Sequence, residues 1–313
     1  MKTPDSKLRR ALIQLPVQWG TLAGLGAMGL GAAHAQATYP SKPIRMLVGY
    51  TPGGFTDNMA RTIGEPLAKA LGQPVLFDYK PGANSMIAVD MVAKAAPDGY
   101  TLTTVIAAHA ANPSLYGKMT FNAATDLTPV IVTGVAPLIL SANIATPFST
   151  AAELIAYAKA NPGKLNYGSS GKGAAAHLAM EQFMANHGIS MQHVPYKGTQ
   201  PALTDLIGGA IQLMFDVPLA MVPHGKAGKI KQGTAFIANT WAMVLAPAKT
   251  PPEILRKLNS EANRILATPS VREKLQSTGV VPGGGTLDDA ARFLNEEFER
   301  NAKVVKGANI RLD

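Results

Sequence analysis

The sequence predicts an α/β fold in which helices cover a largely parallel sheet. Two observations predict it. Short apolar, strand-like runs alternate with helix-like runs in β-α-β-α-β order. Two glycine-rich turns also stand at strand-to-helix junctions: Val48-Gly-Tyr-Thr-Pro-Gly-Gly-Phe-Thr-Asp57 and Asn166-Tyr-Gly-Ser-Ser-Gly-Lys-Gly-Ala-Ala-Ala-His177. Such a turn exposes backbone N–H groups at the positive end of a helix, which makes an anion site. Two of them, on separate lobes, predict a cleft that grips a small anion from both sides.

In chain order, Ile44–Val48 reads as a buried strand. The first turn leads into a helix with Met59, Ile63, Leu67 and Leu71 on one face, Asp57 as N-cap and Gly72 as C-terminal cap. Pro66 interrupts its regularity. Val75–Phe77 is a strand, Met86–Ala95 a short helix and Tyr100–Val105 a third strand. Leu127–Ala142 is extended, too long for one simple strand, and carries Pro137; it reads as a crossing between lobes. A second series follows: helix Ala151–Ala160, strand Lys164–Tyr167, the second turn, and a helix ending at His187-Gly188. Strand Val194–Tyr196, helix Pro201–Ile207, strand Ile211–Phe215 and return strand Trp241–Ala246 continue it. The tail reads as three helices, Pro252–Ala267, Ser270–Thr278 and Leu287–Lys306, the last opened by a capping-box pair, Thr286 and Asp289.

Composition narrows the function classes. The first 35 residues read as an export signal: Lys2, Lys7, Arg9 and Arg10, then an apolar Gly/Ala-rich stretch to Ala33, then Ala33-His34-Ala35 as a cleavage pattern. Arg9-Arg10 also suggests a twin-arginine signal, with ordinary secretion the favoured route. The expected location is therefore the periplasm, with cleavage after Ala35. Cysteine is absent, which excludes disulfides, thiolate metal sites and cysteine nucleophiles. Net charge is +9, its basic residues are scattered and aromatics make up 6%, so no nucleic-acid surface is expected.

The catalytic signatures fail. A phosphate-binding loop needs Gly-Lys followed by Ser or Thr, and Gly171-Lys172 is followed by Gly173. A nucleophile elbow needs Gly-x-Ser-x-Gly, and Lys172 stands where the last Gly belongs. No Gly-x-Gly-x-x-Gly follows a strand. No histidine forms a His-x-x-x-His pair, so no metal or other cofactor is expected. His177 reads first as a helix-start histidine bonded to its own loop, and second as a ligand contact. Ser169 and Ser170 read as donors, since no base partner is visible in sequence. Asp216 ends an apolar strand, where it suits a cleft carboxylate and a cap for the next turn equally.

An ordered set of motifs then resembles a known family. Tyr39-Pro-Ser-Lys-Pro-Ile-Arg45, Pro52-Gly-Gly-Phe-Thr-Asp57, Leu71-Gly-Gln-Pro-Val75, Pro81-Gly-Ala83, Ala95-Ala-Pro-Asp-Gly-Tyr-Thr101 and Asn112-Pro-Ser-Leu-Tyr116 come first. Asn161-Pro-Gly-Lys-Leu-Asn-Tyr-Gly-Ser-Ser-Gly171, His177-Leu-Ala179, Val194-Pro-Tyr-Lys-Gly198 and Pro201-Ala-Leu-Thr-Asp205 follow. The set is similar to the Bug/TctC family of extracytoplasmic solute receptors of tripartite tricarboxylate transporters. The resemblance implies a type II periplasmic-binding-protein fold, two lobes with a hinge and a ligand cleft between them. It implies a monomeric, non-enzymatic receptor for a small di- or tricarboxylate, delivered to membrane permease subunits of such a transporter. A sensor of the same fold, a binding-impaired remnant and, last, a secreted α/β hydrolase are the alternatives. The expected organisation is 1–35 signal, 36–135 first part of lobe one, 136–240 lobe two, and 241–313 a return to lobe one. Carried over to matching positions, the ligand residues are Gly53, Gly54, Phe55 and Thr56, then Ser169, Ser170, Gly171, Gly173 and His177. Asn84, Ser85, His109 and Asp216 are weaker candidates.

The chain departs from that pattern after Gly225-Lys-Ala-Gly-Lys-Ile-Lys231. The family continues there with a strand and a proline-rich loop, and only then reaches the stretch seen here as Phe236-Ile-Ala-Asn-Thr-Trp241. Only Gln232-Gly-Thr-Ala235 intervenes, so on the order of two dozen residues are missing. Lobe two is expected to be shortened after Lys231 and to lose a strand beside the cleft. A smaller departure is Asn84-Ser85-Met86, where the family often has Gly-Gly-Asn.

Overall fold

The computed structural model describes residues 39–307, side chains at 233–237 excepted. The signal-peptide reading of 1–35 lies outside those residues. The chain first builds β1 (Ile44–Val48), α1 (Phe55–Leu71), β2 (Val75–Tyr79), α2 (Met86–Ala93), β3 (Thr101–Ile106) and α3 (Ala108–Leu115). β4 (Leu127–Asn143) follows, then α4 (Ala151–Ala160), β5 (Asn166–Ser169), α5 (Ala175–His187), β6 (Gln192–Pro195), α6 (Thr199–Gly208), β7 (Leu213–Asp216) and α7 (Pro218–Lys226). The chain closes with β8 (Ile230–Pro247), α8 (Pro252–Ala267), α9 (Pro269–Ser277), β9 (Val281–Gly284) and α10 (Leu287–Gly307).

Local sequence explains the first unit. Met59, Ile63 and Leu67, four residues apart, fall on one buried face of α1. Each contributes on the order of 2 kcal/mol by leaving water. Gly64 lets α1 settle on β2, because a Cβ there would stand 2.7 Å from the Phe77 ring. Gly72 ends the helix at φ 68°. The N-cap is Gly54 rather than Asp57. Asp57 lies inside the first turn and folds back, accepting the Gly53 N–H at 2.8 Å.

The strands form one sheet in the order β2-β1-β3-β8-β4-β7-β5-β6, with β9 also on β4. Its two ends are parallel, β1 with β2 and β3, and β5 with β6 and β7. Its centre is antiparallel, β3 with β8, β8 with β4, and β4 with β7. β4 and β8 pair from Leu127↔Pro247 to Asn143↔Ile230 and so carry the chain between the two parallel ends. The segment expected to be too long for one strand is therefore a single strand relieved by register shifts, one of them at Pro137. Proline lacks the N–H that a regular ladder needs, and shifts are where sheets tolerate it.

The expected loss of a strand after Lys231 is not what the structure shows. Residues 230–236 still pair with β4, and they run straight into the predicted return strand as one element, β8. The irregularity shrinks to a bulge: Leu138 faces Phe236 and Pro137 faces Asn239, so positions 237 and 238 have no counterparts. α3, α7 and β9 are elements the sequence reading missed. α3 is buried almost all round, which erases the one-sided periodicity that marks a surface helix. α10 is fastened to β8 by the buried Glu297, which accepts from Trp241 Nε1 at 2.9 Å and pairs with Arg300 at 2.7 Å. No helix among the described residues is long and apolar enough to cross a membrane.

Candidate functional site

The two glycine-rich turns lie where β1 passes into α1 and β5 into α5. In the first, Gly53 adopts φ 83° and Gly54 is extended, so α1 begins at Phe55. Its positive end is already met from within. Asp57 takes the Gly53 N–H, and its other oxygen accepts from Tyr79 at 2.6 Å and Arg61 at 3.0 Å. In the second turn no acidic residue stands in the first turn of α5, and Ala174 offers no side-chain cap. The Gly173 N–H donates instead to Nδ1 of His177 at 3.0 Å. That bond places the imidazole proton on Nε2, 3.6 Å from Glu181. His177 stacks on His193 at 4.0 Å between ring centroids, and His193 stacks on Tyr167 at 4.8 Å. Burial pulls His177 down to about 4, helped by Lys172. Burial, then His177 and Lys172, pull His193 down to about 3. Both rings are neutral at pH 7, so this turn keeps its positive helix end unspent.

A small cavity of ≈ 30 Å³ lies between the turns. Gly54, Phe55 and Thr56 line it from the first, Ser170 from the second. Asp216 at the end of β7 also faces it, with Thr199 beside it. Asp216 is 6% exposed. One of its oxygens accepts from Thr199 Oγ1 at 2.9 Å and the other from the Val217 N–H at 2.7 Å. It is thus a cavity carboxylate that also holds the Val217 N–H just before α7, without capping the helix. Burial raises it to about 6, against the pull of those two hydrogen bonds. Thr240 on β8 completes the wall with a buried hydroxyl that has no partner among the described residues.

Other predicted residues sit around the cavity rather than on it. Gly53 is at its rim, its carbonyl accepting from Gln200 Nε2 at 3.0 Å. Ser169 is fully buried behind the turn, donating to the Gly171 carbonyl at 2.9 Å with His193 Nε2 at 2.7 Å. Gly171 packs against Asn84, where a Cβ would meet Oδ1 at 3.2 Å. Asn84 accepts from Tyr50, itself a cavity residue, at 2.8 Å and donates to Asn112 at 2.8 Å. Ser85 is buried under Gly49 with an unpartnered hydroxyl. His109 lies away from the cavity, its ring 5.8 Å from Phe298 of α10, and burial lowers it to about 4. The structure therefore does not place His109 with the other candidates.

The two sides touch directly over the cavity. The Thr51 N–H donates to the Lys197 carbonyl at 3.1 Å, and Tyr116 donates to the Lys172 carbonyl at 3.1 Å. Gly198 makes this approach possible: a Cβ there would stand 2.1 Å from Thr51 Oγ1 and 3.0 Å from the Thr51 nitrogen. A cavity this size holds about two waters.

Tyr50, Thr199 and Thr240 were missed in sequence. Thr199 carried a readable signal, because Gly198 is a third glycine at a strand-to-helix junction, capping α6. Thr240 carried none; a threonine in an apolar strand looks like any other strand residue. No cluster of three His, Cys, Asp or Glu that could hold a metal occurs among the described residues.

Comparison with known proteins adds to this geometry. A family model described as "Tripartite tricarboxylate transporter family receptor" matches residues 59–238 and 231–310. The protein BugT of Bordetella pertussis is 32% identical over 312 aligned positions, covering 92% of this chain and 96% of that protein. Rpa4515 of R. palustris, solved with adipate, is 34% identical with a TM-score of 0.85, covering 88% of this chain and 100% of that one. MatC of Rhodopseudomonas palustris, solved with bound malate, is 28% identical with a TM-score of 0.80, covering 85% and 100%. Because 92% of 313 residues fill only about 288 of the 312 aligned positions, BugT has about 24 residues without a counterpart here. The two stretches matched by the family model meet at 231–238, where β8 carries its bulge.

Proposed function

This chain belongs to the tripartite tricarboxylate transporter receptor family, and from that premise we propose that it captures a small organic carboxylate and delivers it to the permease subunits of such a transporter. The observation that carries the reading is the cavity itself. It lies between two helix N-termini and is lined in part by hydroxyls, and the two sides of the sheet touch each other nearby. Backbone amides at a helix start hold a carboxylate without any cationic side chain. Relatives solved with adipate and malate favour the same ligand class. The periplasm is the compartment in which such a receptor would act, and the export signal read from 1–35 would take it there.

Ligand binding and hinge motion go together here. The closed cavity is smaller than any di- or tricarboxylate, so the ligand enters an open form and the Thr51–Lys197 and Gly53–Gln200 contacts reform around it. The closed surface is what a permease would read. Ser169 and His193 have the spacing of a nucleophile and a base. Ser169 is nevertheless fully buried and spends its proton on the Gly171 carbonyl, which favours a supporting role in the turn.

The test is titration calorimetry of the folded, mature protein against a panel of C3–C6 mono-, di- and tricarboxylates, with melting temperature as a parallel readout. Saturable heat with at least one acid, and a rise in melting temperature with the same acid, is the expected result. A folded protein that responds to none of them sinks the reading.

A further inference from the structure

We propose that Asp216 and Thr240 make the cavity selective for small carboxylates that carry a hydroxyl group on the carbon chain. The inference rests on the receptor reading above and names the class of acid that the site prefers. Its ground is the chemistry of the wall away from the glycine turns. Asp216 and Thr240 come from β7 and β8, which pair with opposite edges of β4, at Ile139 and Ala136 respectively. Both line the cavity, and both are at least nine-tenths buried.

Their hydrogen-bonding capacities are complementary, and that of Thr240 is unmet. Thr240 Oγ1 has no partner among the described residues. Each Asp216 oxygen accepts one hydrogen bond, from Thr199 or from the Val217 N–H, and keeps a free lone pair. Among the described residues no Lys, Arg or His lines the cavity to offset the Asp216 carboxylate. A plain dicarboxylate would set methylenes or a second anion against that wall. Methylenes leave the buried Thr240 hydroxyl unsatisfied, and a second anion meets the Asp216 charge at low dielectric. A ligand hydroxyl can answer either group, donating to Asp216 or accepting from Thr240. Sites built to bond a ligand hydroxyl reject the analogue lacking it far more strongly than apolar pockets reject an extra one.

The experiment is calorimetry at pH 7.5 with two matched pairs, malate against succinate and 2-hydroxyglutarate against glutarate. It uses the wild-type mature protein, Asp216→Asn and Thr240→Val, each shown folded by thermal melting. Wild type is expected to bind the hydroxy acid of at least one pair about tenfold or more tightly than its plain partner. Asp216→Asn is expected to bring that ratio within about threefold, because the strong acceptor for the ligand hydroxyl is gone. Thr240→Val should also shrink the ratio, and it carries the test alone if Asp216→Asn does not fold. A wild-type ratio near one, or a ratio unchanged in both variants, overturns the inference while leaving the receptor reading standing. No heat from any of the four acids or from the wider panel overturns the receptor reading, and this inference with it.

Discussion

The two glycine-rich turns look alike in sequence and are wired differently. At the first, the start of α1 is neutralised by a carboxylate of its own, Asp57, anchored by Tyr79 and Arg61. At the second, the start of α5 is held by a neutral imidazole, His177, inside a stack with His193 and Tyr167. A carboxylate at a helix N-terminus consumes the favourable potential there, whereas a neutral acceptor leaves most of it for a ligand. This favours the second turn over the first as the place where an anion would be held.

Acid should break the second turn first, and it gives the largest expected effect. The buried histidines 109, 177 and 193 all sit below their ordinary value. Between pH 6.5 and about 4 the unfolded chain takes up protons that the folded histidines refuse, so stability falls as pH falls through that window. For His109 alone, a drop from 6.5 to about 4 corresponds to roughly 3 kcal/mol. Asp216 works the other way. Raised to about 6, it takes up its proton in the folded state first and so offsets part of the loss between pH 6 and 3.8. Three histidines against one aspartate leave a net loss. Urea unfolding from pH 7.5 to 4.5 checks it, and a His177→Gln, His193→Gln double variant should show a shallower slope. A flat profile would refute the neutral-imidazole description of the second turn.

Side-chain removal separates the jaws next. Asp57→Ala strips an acceptor from the Gly53 N–H, Tyr79 and Arg61 together, and should cost about 2–3 kcal/mol in denaturant unfolding. With the anion held at the second turn, affinity for the best acid should stay within about threefold. Ser170→Ala should do the opposite: affinity about tenfold weaker with the melting temperature of the free protein unchanged. Should Asp57→Ala weaken binding more than Ser170→Ala does, the division of labour between the turns is wrong.

Much of this was legible in the chain, for identifiable reasons. α1 and α8 announced themselves because one face is buried and the other wet, so the 3.6-residue period survives in sequence. The Thr286–Asp289 cap was read correctly because its geometry is local, and the Asp289 N–H does donate to Thr286 Oγ1. The cavity was half legible. Gly54, Phe55, Thr56 and Ser170 are close to the turns that predicted them. Tyr50, just past β1, owes its place to the pairing of β1 with β3, and Thr240 to the pairing of β8 with β4, and tertiary pairing leaves no mark on a single residue. The same holds for Asp57. Its role depended on whether the helix began at 55 or 58, and a glycine cap is harder to read than an aspartate one.

The smallest expected effect tests the seam where the jaws meet. Ala83, Asn84 and Ser85 all have positive φ, at 45°, 51° and 72°. Side chains make that region costly, by about 1–2 kcal/mol per residue. Asn84 is compensated by its bonds to Tyr50 and Asn112, and it meets Gly171 of the opposite turn. Ser85 has no such return: its hydroxyl is buried without a partner, pressed toward Gly49. Ser85→Gly removes the strain and the orphan hydroxyl together and should raise stability by about 1 kcal/mol, with ligand affinity unchanged. Asn84→Gly removes strain too, but it also removes the bridge between Tyr50 and Gly171, so it should weaken binding while gaining no stability. Melting curves and one calorimetric titration per variant separate the two. If both variants behave alike, Asn84 contributes nothing across the seam, and contact between the turns rests on Thr51, Tyr116 and Gln200.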